Sequence, residues 1–217
     1  MIITAHISFF LLLVCLFPVY GDFDYMQLVL QWPASFCLNK NCRRTPRNFT
    51  IHGLWPDNES NLLNDCLPKS YQDITDMPTK IKLDNRWPDL KTTKQLCMQD
   101  QEFWRYEYNK HGSCSLGPYN QKTYFDLAIK LKDKFDLLAA LQNHGINPGS
   151  THTVKEIASA IESVTKVYPN MKCIGNPAGT MVLLEIGICF VPDATRVIPC
   201  YRPVICHNNE NKRINIP

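Results

Sequence analysis

Two histidines lie in short segments that carry several groups capable of acid–base chemistry. His52 belongs to the segment IHGLWP (residues 51–56), and His111 belongs to the segment EYNKHGSC (residues 107–114). Imidazole titrates near neutral pH, so one histidine can accept a proton while a second one donates a proton in the same reaction. A lone histidine is more often structural than catalytic, and we interpret His144, His152 and His207 in that way.

Two further ionisable residues, Glu107 and Lys110, come shortly before His111. Residues three and four apart share a face of an α-helix, so a helix here groups an acid, a cation and an imidazole. An ordinary surface pair between Glu107 and Lys110, contributing only about 0.2–0.5 kcal/mol, is the alternative interpretation. Gly53 and Gly112 directly follow the two histidines, and we expect them to leave room for a bulky ligand.

Cleavage of RNA by its own 2′-hydroxyl is a reaction that needs such a set of groups. A base removes the proton of the 2′-hydroxyl, the resulting alkoxide attacks phosphorus, and an acid protonates the leaving 5′-oxygen. Lys110 would stabilise the anionic phosphorane, while Glu107 would order Lys110 and His111 or, if protonated, donate a hydrogen bond. Trp55 would stack on a base and Asp57 would bond to its edge, although Trp55 also suits a hydrophobic core.

Three predicted strands must carry or support these segments. Residues 23–31 (FDYMQLVLQ) are rich in strand-forming side chains, and residues 49–54 (FTIHGL) predict a second strand that Pro56 closes. Residues 180–191 (TMVLLEIGICFV) form a continuous apolar run, which is typical of a buried central strand.

Three predicted helices accompany the strands. Residues 121–143 place apolar side chains on one face, and residues 153–166 begin with the spacing of a capping box. Residues 99–110 predict a third helix, which ends at the second histidine segment. Residues 65–94 are polar and contain three prolines, so they predict loops with at most short helices. Strands and helices without a βαβ rhythm favour the α+β class.

Composition limits the classes of protein to which the chain can belong. The 217 residues are 45% hydrophobic and 20% charged, which excludes a disordered chain and allows one domain with a sizeable core. A net charge of +3 is too small to predict nucleic-acid binding from bulk electrostatics. No apolar run reaches the length of about 18 residues that a membrane span requires, so we expect no membrane partner.

The N-terminus predicts export. Residues 7–17 are almost purely apolar, and Val19 and Gly21 stand three and one residue before an expected cleavage site. We therefore predict a signal peptide over residues 1–21 and a single mature domain over residues 22–217; a buried core helix is the alternative. Two glycosylation sequons, at Asn48 and Asn58, agree with a secreted, extracellular chain.

Nine cysteines remain after cleavage, and in an exported chain they predict disulfides rather than metal ligands. The odd number leaves at least one cysteine without an intramolecular partner. Cys37 and Cys42 are close enough in the chain for a tight bridge. The absence of a C-x-x-C pair disfavours a zinc ribbon.

The two histidine segments, taken in this order, resemble the two active-site segments of the ribonuclease T2 family. Residues 28–33 (LVLQWP) resemble the first strand of that family, and the cysteine spacing fits over the whole mature chain. Within the family the chain is most similar to the stylar S-ribonucleases of gametophytic self-incompatibility, of the nightshade type. The segments FDYMQLVLQWP and NFTIHGLWPDN and the cysteine-rich end carry this closer similarity.

The resemblance implies a fold and a role for each matched position. The fold would be a central, mostly antiparallel sheet flanked by helices and held by disulfides. His52 would be the general acid and His111 the general base, and Glu107 and Lys110 would assist the transition state. The matched positions at one base pocket are Trp55 and Asp57, and those near the other are Gln31 and Phe103. Tyr106 replaces a third histidine that many members carry, and we expect Tyr106 and Trp104 to serve packing.

The resemblance also implies a disulfide pattern and excludes cofactors. The implied bridges are Cys37–Cys42, Cys66–Cys114, Cys173–Cys206 and Cys189–Cys200, with Cys97 unpaired. Family members need no metal, so we expect neither a metal ion nor a cofactor.

Three functions follow as hypotheses. The first is a secreted, monomeric endoribonuclease that cuts single-stranded RNA through a 2′,3′-cyclic phosphate. The second is a recognition protein that pollen F-box proteins bind through a surface within residues 65–94. The third is a defence or phosphate-starvation ribonuclease of the same fold.

Overall fold

The computed structural model describes residues 23–92 and 101–217. The predicted signal peptide and Cys97 lie outside the described residues. Strands within these ranges form one seven-stranded sheet. They are β1 (Tyr25–Gln31), β2 (Thr50–Asp57), β3 (Thr151–Thr153), β4 (Asn170–Gly175), β5 (Met181–Phe190), β6 (Val197–Ile198) and β7 (Arg213–Asn215). Among these strands only β5 and β7 pair in parallel, so the prediction of an α+β fold with a mostly antiparallel sheet is confirmed.

The central strands β1 and β5 separate the core from the face that carries the site. Alternate residues of β1 pack into the hydrophobic core: Met26, Leu28 and Leu30. The residues between them line cavities on the opposite face of the sheet: Gln27, Val29 and Gln31. On that face Glu185 and Gly187 of β5 lie opposite Gln31 and Val29. We call the face that carries these five residues the site face.

Strand β2 is longer than the sequence predicts. It continues through Trp55 and Pro56 to Asp57, and Pro56 pairs with Met26 of β1. The expectation that Pro56 closes the strand is therefore wrong. The physical reason is the position of β2 at an edge of the sheet, where the missing N–H of a proline leaves no neighbouring strand unsatisfied.

Six α-helices are present in the described ranges. They are α1 (Pro33–Phe36), α2 (Met77–Arg86), α3 (Glu102–Lys110), α4 (Gln121–Lys134), α5 (Leu137–Gln142) and α6 (Val154–Thr165). The predicted capping box of α6 is present, because Thr153 and Glu156 bond reciprocally to each other's backbone N–H. Helix α3 ends at the predicted position, and a short 3-10 helix, Gly112–Ser115, follows it.

Two helix predictions are corrected. The single helix predicted over residues 121–143 is two helices, because the side chain of Asp136 accepts a hydrogen bond from Ala139 N and starts α5 anew. The region predicted as loops with at most short helices contains α2, a helix of ten residues. Asp76 caps α2 by accepting from Thr79 N, and Pro78 lies in the first turn, where a proline is compatible with a helix.

Four disulfides are present in the described ranges, two of them local and two between distant parts of the chain. They are Cys37–Cys42, Cys66–Cys114, Cys173–Cys206 and Cys189–Cys200, the pairing that the resemblance implies. Cys66–Cys114 ties the end of the second histidine segment to the loop after β2. No helix in the described ranges is long and apolar enough to cross a membrane.

Candidate active site

A break in the register of β2 brings His52 to the site face. Gly53 pairs with Val29 and Ile51 pairs with Leu30, so His52 is an extra residue without a partner on β1. In an unbroken strand His52 would point to the side opposite Gly53, which is the core side. The bulge lets the imidazole reach the cavity on the site face, and bulges commonly re-aim side chains in this way.

A buried carboxylate holds one nitrogen of the His52 ring. His52 Nδ1 lies 2.8 Å from Glu185 Oε1, and Lys172 Nζ lies 3.3 Å from Glu185 Oε2. Lys172 on β4 stands directly opposite Glu185 on β5, so the sheet register builds this pair. Burial alone would raise the pKa of Glu185, but the hydrogen bond and charge of His52, together with Lys172, bring that pKa below its usual value.

The indole of Trp55 joins the two histidine segments. Its ring centre lies 5.3 Å from that of His52 and 5.0 Å from that of His111, so the two imidazole centres are at most about 10 Å apart. Trp55 Nε1 donates a hydrogen bond of 3.3 Å to Glu107 Oε2. The structure therefore brings His52, Trp55, Glu107 and His111 into one cluster.

Gly53 leaves space for side chains of the protein itself and not, as the sequence predicts, for a ligand. A Cβ atom there would lie 2.7 Å from Glu107 Oε2 and still closer to Trp55 Nε1. A Cβ at Gly112 would in turn meet the rings of Tyr108 and Tyr124 at 2.5 Å and 2.9 Å. Both glycines make room for the protein's own aromatic rings, so the expectation that they leave space for a ligand is wrong.

Burial shapes the protonation of the two groups on α3. Glu107 is only 2% exposed, and this burial raises the pKa of its carboxyl, against the opposing effects of His52, Trp55 and Lys110. Burial also lowers the pKa of His111 to about 3, and the positive charges of Lys110 and His52 act in the same direction. Within the described residues, the buried Nδ1 of His111 has no hydrogen-bond partner. His111 is therefore a neutral imidazole at and above mildly acidic pH.

Lys110 lies beside this cluster rather than in an ion pair with Glu107. Its ammonium group donates to Tyr106 Oη at 3.3 Å and lies 5.5 Å from the centre of the same ring. Tyr106 is 56% exposed and lines a cavity that His52 also lines. The expectation that Tyr106 serves packing is therefore wrong. Trp104 is buried and donates from Nε1 to Trp87 O, which agrees with a packing role.

A cavity of about 740 Å³ opens at His52, which is the size range of small-molecule sites. Gln31, Phe103 and Glu107 also line this main cavity. Gln31 is 2% exposed, and its buried Oε1 has no hydrogen-bond partner among the described residues. A smaller cavity of about 140 Å³ on the same face is lined by Trp55 and shares Lys172 and Glu185 with the main cavity.

Asp57 is the one predicted base-contact residue that lines neither cavity. It is 3% exposed, and its Oδ1 accepts a hydrogen bond of 2.7 Å from Leu63 N. Its Oδ2 lies 3.7 Å from Arg202 Nη1. These contacts hold the loop after β2 and the C-terminal region in place.

Sequence reasoning missed Glu185 and Lys172. One signal was present, because Glu185 is the only charged residue in the apolar run of residues 180–191. A carboxylate in a buried strand is costly unless it is paired, so its presence indicates a partner. The described residues contain no group of three or more His, Cys, Asp or Glu that could hold a metal ion.

Comparison with known proteins identifies the family. The model of the Ribonuclease T2 family matches residues 23–200. Ribonuclease S-7 of Nicotiana alata is 52% identical over 211 residues, which cover 96% of this chain and 95% of that protein. Ribonuclease S-2 of Solanum tuberosum is 47% identical over 95% of both chains.

Solved structures agree with this result. The self-incompatibility-associated SF11-RNase of Nicotiana alata superimposes with a TM-score of 0.82 at 46% identity, covering 90% of this chain and 99% of that one. RNase NT in complex with 5′-AMP superimposes with a TM-score of 0.77 at 28% identity, covering 90% and 98%. The family match, the full-length relatives and the shared fold lead to one conclusion: the chain belongs to the ribonuclease T2 family and is a metal-independent endoribonuclease.

Proposed function

We propose that the protein cleaves single-stranded RNA by attack of the ribose 2′-hydroxyl, which leaves a 2′,3′-cyclic phosphate. The observation that carries this proposal is the placement of both imidazoles against one indole ring. That separation suits two groups acting on either side of one phosphodiester. A single strand is the substrate because its bases can be splayed out and its 2′-hydroxyl can align for attack.

His111 is the general base in this mechanism. Its pKa of about 3, which burial lowers, keeps the ring neutral and able to accept the proton of the 2′-hydroxyl. Glu107 has a raised pKa because it is buried, and in its protonated form it donates a hydrogen bond to the phosphorane. Lys110 adds positive charge close to the reacting group.

His52 is the general acid. A proton acceptor on the substrate meets the Nε2 side of the ring, because Nδ1 is held by Glu185 at 2.8 Å. The carboxylate fixes the orientation of the ring. Glu185 is thus a positioning residue, since it acts through His52 and not on the substrate.

Variants of the two histidines test the mechanism. His52→Asn and His111→Asn should each lower the rate of RNA cleavage by about 10²–10⁴ while the fold is retained. Circular dichroism monitors the fold, chromatography detects the cyclic phosphate, and His144→Asn, which changes an exposed histidine, is the control. Cleavage of wild-type rate by either site variant, or products without a cyclic phosphate, would contradict the proposal. Activity should also survive EDTA.

We also propose that the enzyme is secreted and acts as the pistil determinant of gametophytic self-incompatibility. Relatives named as S-ribonucleases match over nearly the full chain, and four disulfides suit an oxidising compartment. Asn48 is exposed and open to glycosylation, while Asn58 is half-buried. The chain would then be a glycosylated monomer.

Recognition by pollen F-box proteins is assigned to the polar section within residues 65–94. Helix α2 in this section exposes Met77 and Ile81, and none of the proposed catalytic residues lies there. Exchange of the section with that of another allele, with the cavity-lining residues 89–91 kept, should change which pollen is rejected while RNA cleavage persists. Unchanged rejection would refute this placement. A defence or phosphate-starvation role is the alternative, and expression confined to the style would argue against it.

A further inference from the structure

The main cavity extends beyond the catalytic groups to a cationic end. Two lysines there share one aromatic ring: Lys40 Nζ lies 3.5 Å from the centre of Phe36, and Lys91 Nζ lies 5.8 Å from it. Both side chains are exposed at the mouth of the cavity, which Phe36 and Leu90 also line. We call Phe36, Lys40 and Lys91 the outer cluster.

The backbone holds the two lysines together. Lys40 lies in the short loop closed by the Cys37–Cys42 disulfide. The chain leaving that loop is tied to the segment before Lys91, because Arg43 N donates to Leu90 O at 2.9 Å. The backbone therefore places the two lysines close together, and their proximity does not depend on side-chain conformation alone.

No ion pair within residues 23–92 and 101–217 neutralises the positive charge of the outer cluster. Within the described ranges, no carboxylate lies at salt-bridge distance from Lys40 or Lys91, whereas Lys172 pairs with Glu185. Asp89 and Glu102 line other parts of the cavity, and Asp89 Oδ1 accepts the backbone N–H of Lys91 at 2.8 Å. Partial burial and the nearby charges of Lys91 and Lys172 lower the pKa of Lys40, as repulsion between like charges requires. A bound anion would relieve this repulsion.

The proposed mechanism gives the direction in which RNA crosses the cavity. His52 protonates the leaving 5′-oxygen, so the nucleoside on the 3′ side of the scissile bond lies on the side of His52. That side is the main cavity, where Gln31 and Phe103 can contact the base of the leaving nucleoside. The next phosphate along the chain then lies towards the mouth.

We propose that Lys40 and Lys91, held over Phe36, form a subsite for the phosphate that follows the leaving nucleoside. The inference rests on the proposed function, because the assignment of the acid sets the direction of the strand. The enzyme would thus recognise an RNA chain that continues past the cleavage point, and a dinucleotide without this phosphate would be a poorer substrate.

Two substrates that differ by one phosphate test the subsite. The dinucleotide ApA and the same dinucleotide with a 3′-phosphate are compared by kcat/KM. We expect about a tenfold preference of the wild type for the phosphorylated form, the size of one hydrogen-bonded charge contact. The double variant Lys40→Gln/Lys91→Gln should bring the ratio close to one. Because the result is a ratio, any common loss on both substrates cancels.

Three controls make the result decisive. Lys40→Arg/Lys91→Arg should keep the preference, and Lys130→Gln/Lys155→Gln, which removes two exposed charges elsewhere, should also keep it. Binding is compared in the same way: the ratio of the two Kd values is measured with 2′-deoxy analogues of both substrates, which lack the nucleophile. An unchanged ratio in the Gln double variant, or no preference in the wild type, overturns the subsite. A Kd preference that depends on the lysines, without cleavage of either substrate, would support the subsite and refute the proposed function instead.

Discussion

Glu185, a carboxylate inside an apolar strand, fixes the orientation of the His52 ring. Glu185 is 7% exposed, and its two oxygens face two different cations, His52 and Lys172. The carboxylate thus holds the Nδ1 side of the His52 ring, and Lys172 contacts its other oxygen. These contacts fix the direction in which Nε2 of His52 points.

Substitution of Glu185 should leave the His52 ring without a fixed orientation. In Glu185→Gln the charged partner at Nδ1 is lost, so kcat on a short RNA should fall by about tenfold while KM changes little. In Lys172→Gln the contact between His52 and Glu185 remains, so kcat should stay closer to that of the wild type. The measurement is kcat and KM of the wild type and both variants. An unchanged kcat in Glu185→Gln, or an equal fall in both variants, would contradict the role of Glu185.

At the level of secondary structure, one bulge and one glycine make the site. The bulge in β2 frees His52 from the core side, and Gly53 next to it leaves the space in which the Trp55 indole reaches Glu107. Residues 52–55 of a single strand thereby supply the proposed acid His52, the space beside Gly53 and the indole that contacts α3. The edge position of β2 permits this irregular geometry.

A methyl group at Gly53 should break this arrangement. Gly53→Ala places a Cβ where Trp55 Nε1 and Glu107 Oε2 lie, so we expect a loss of about 1–3 kcal/mol in the free energy of unfolding and a large loss of activity. Gly175→Ala is the matched control, since a Cβ there meets nothing within 4 Å. Urea unfolding measures both variants. A Gly53→Ala protein as stable as the control would show that the indole can move aside.

At the scale of the whole molecule, the partly buried ring of His111, the proposed base, links function to acid stability. The folded state holds the pKa of His111 at about 3, below its ordinary value of 6.5, chiefly through burial. The unfolded chain therefore binds this proton more readily. This contribution to stability is complete above pH 6.5 and is lost progressively as the pH falls towards 3.

His111→Asn should remove that part of the acid sensitivity. Between pH 7 and pH 5 the wild type should lose about 2 kcal/mol of unfolding free energy through His111, and the variant should not. Denaturant unfolding at the two pH values gives the difference, with the exposed His144→Asn as the control. An equal loss in the wild type and in His111→Asn would mean that the ring is not buried as a neutral base.

The amino-acid sequence alone determined the local features of this enzyme. The strand character of β1, the capping box of α6, the end of α3 at Lys110 and the two histidine segments follow from side-chain types at short spacing. Such features depend on neighbours within a few residues, and a sequence displays them directly. The disulfide pairing required a resemblance to known proteins as well.

Only the tertiary structure decided how the site is completed. The meeting of His52 with Glu185 spans 133 residues, and it depends on the register of three strands. The same packing buries Asp57 outside the two cavities and places Pro56 on an edge strand. Register and strand order are set by burial of the whole sheet, because a shift of one residue moves every side chain to the other face. No local pattern in the sequence contains that information.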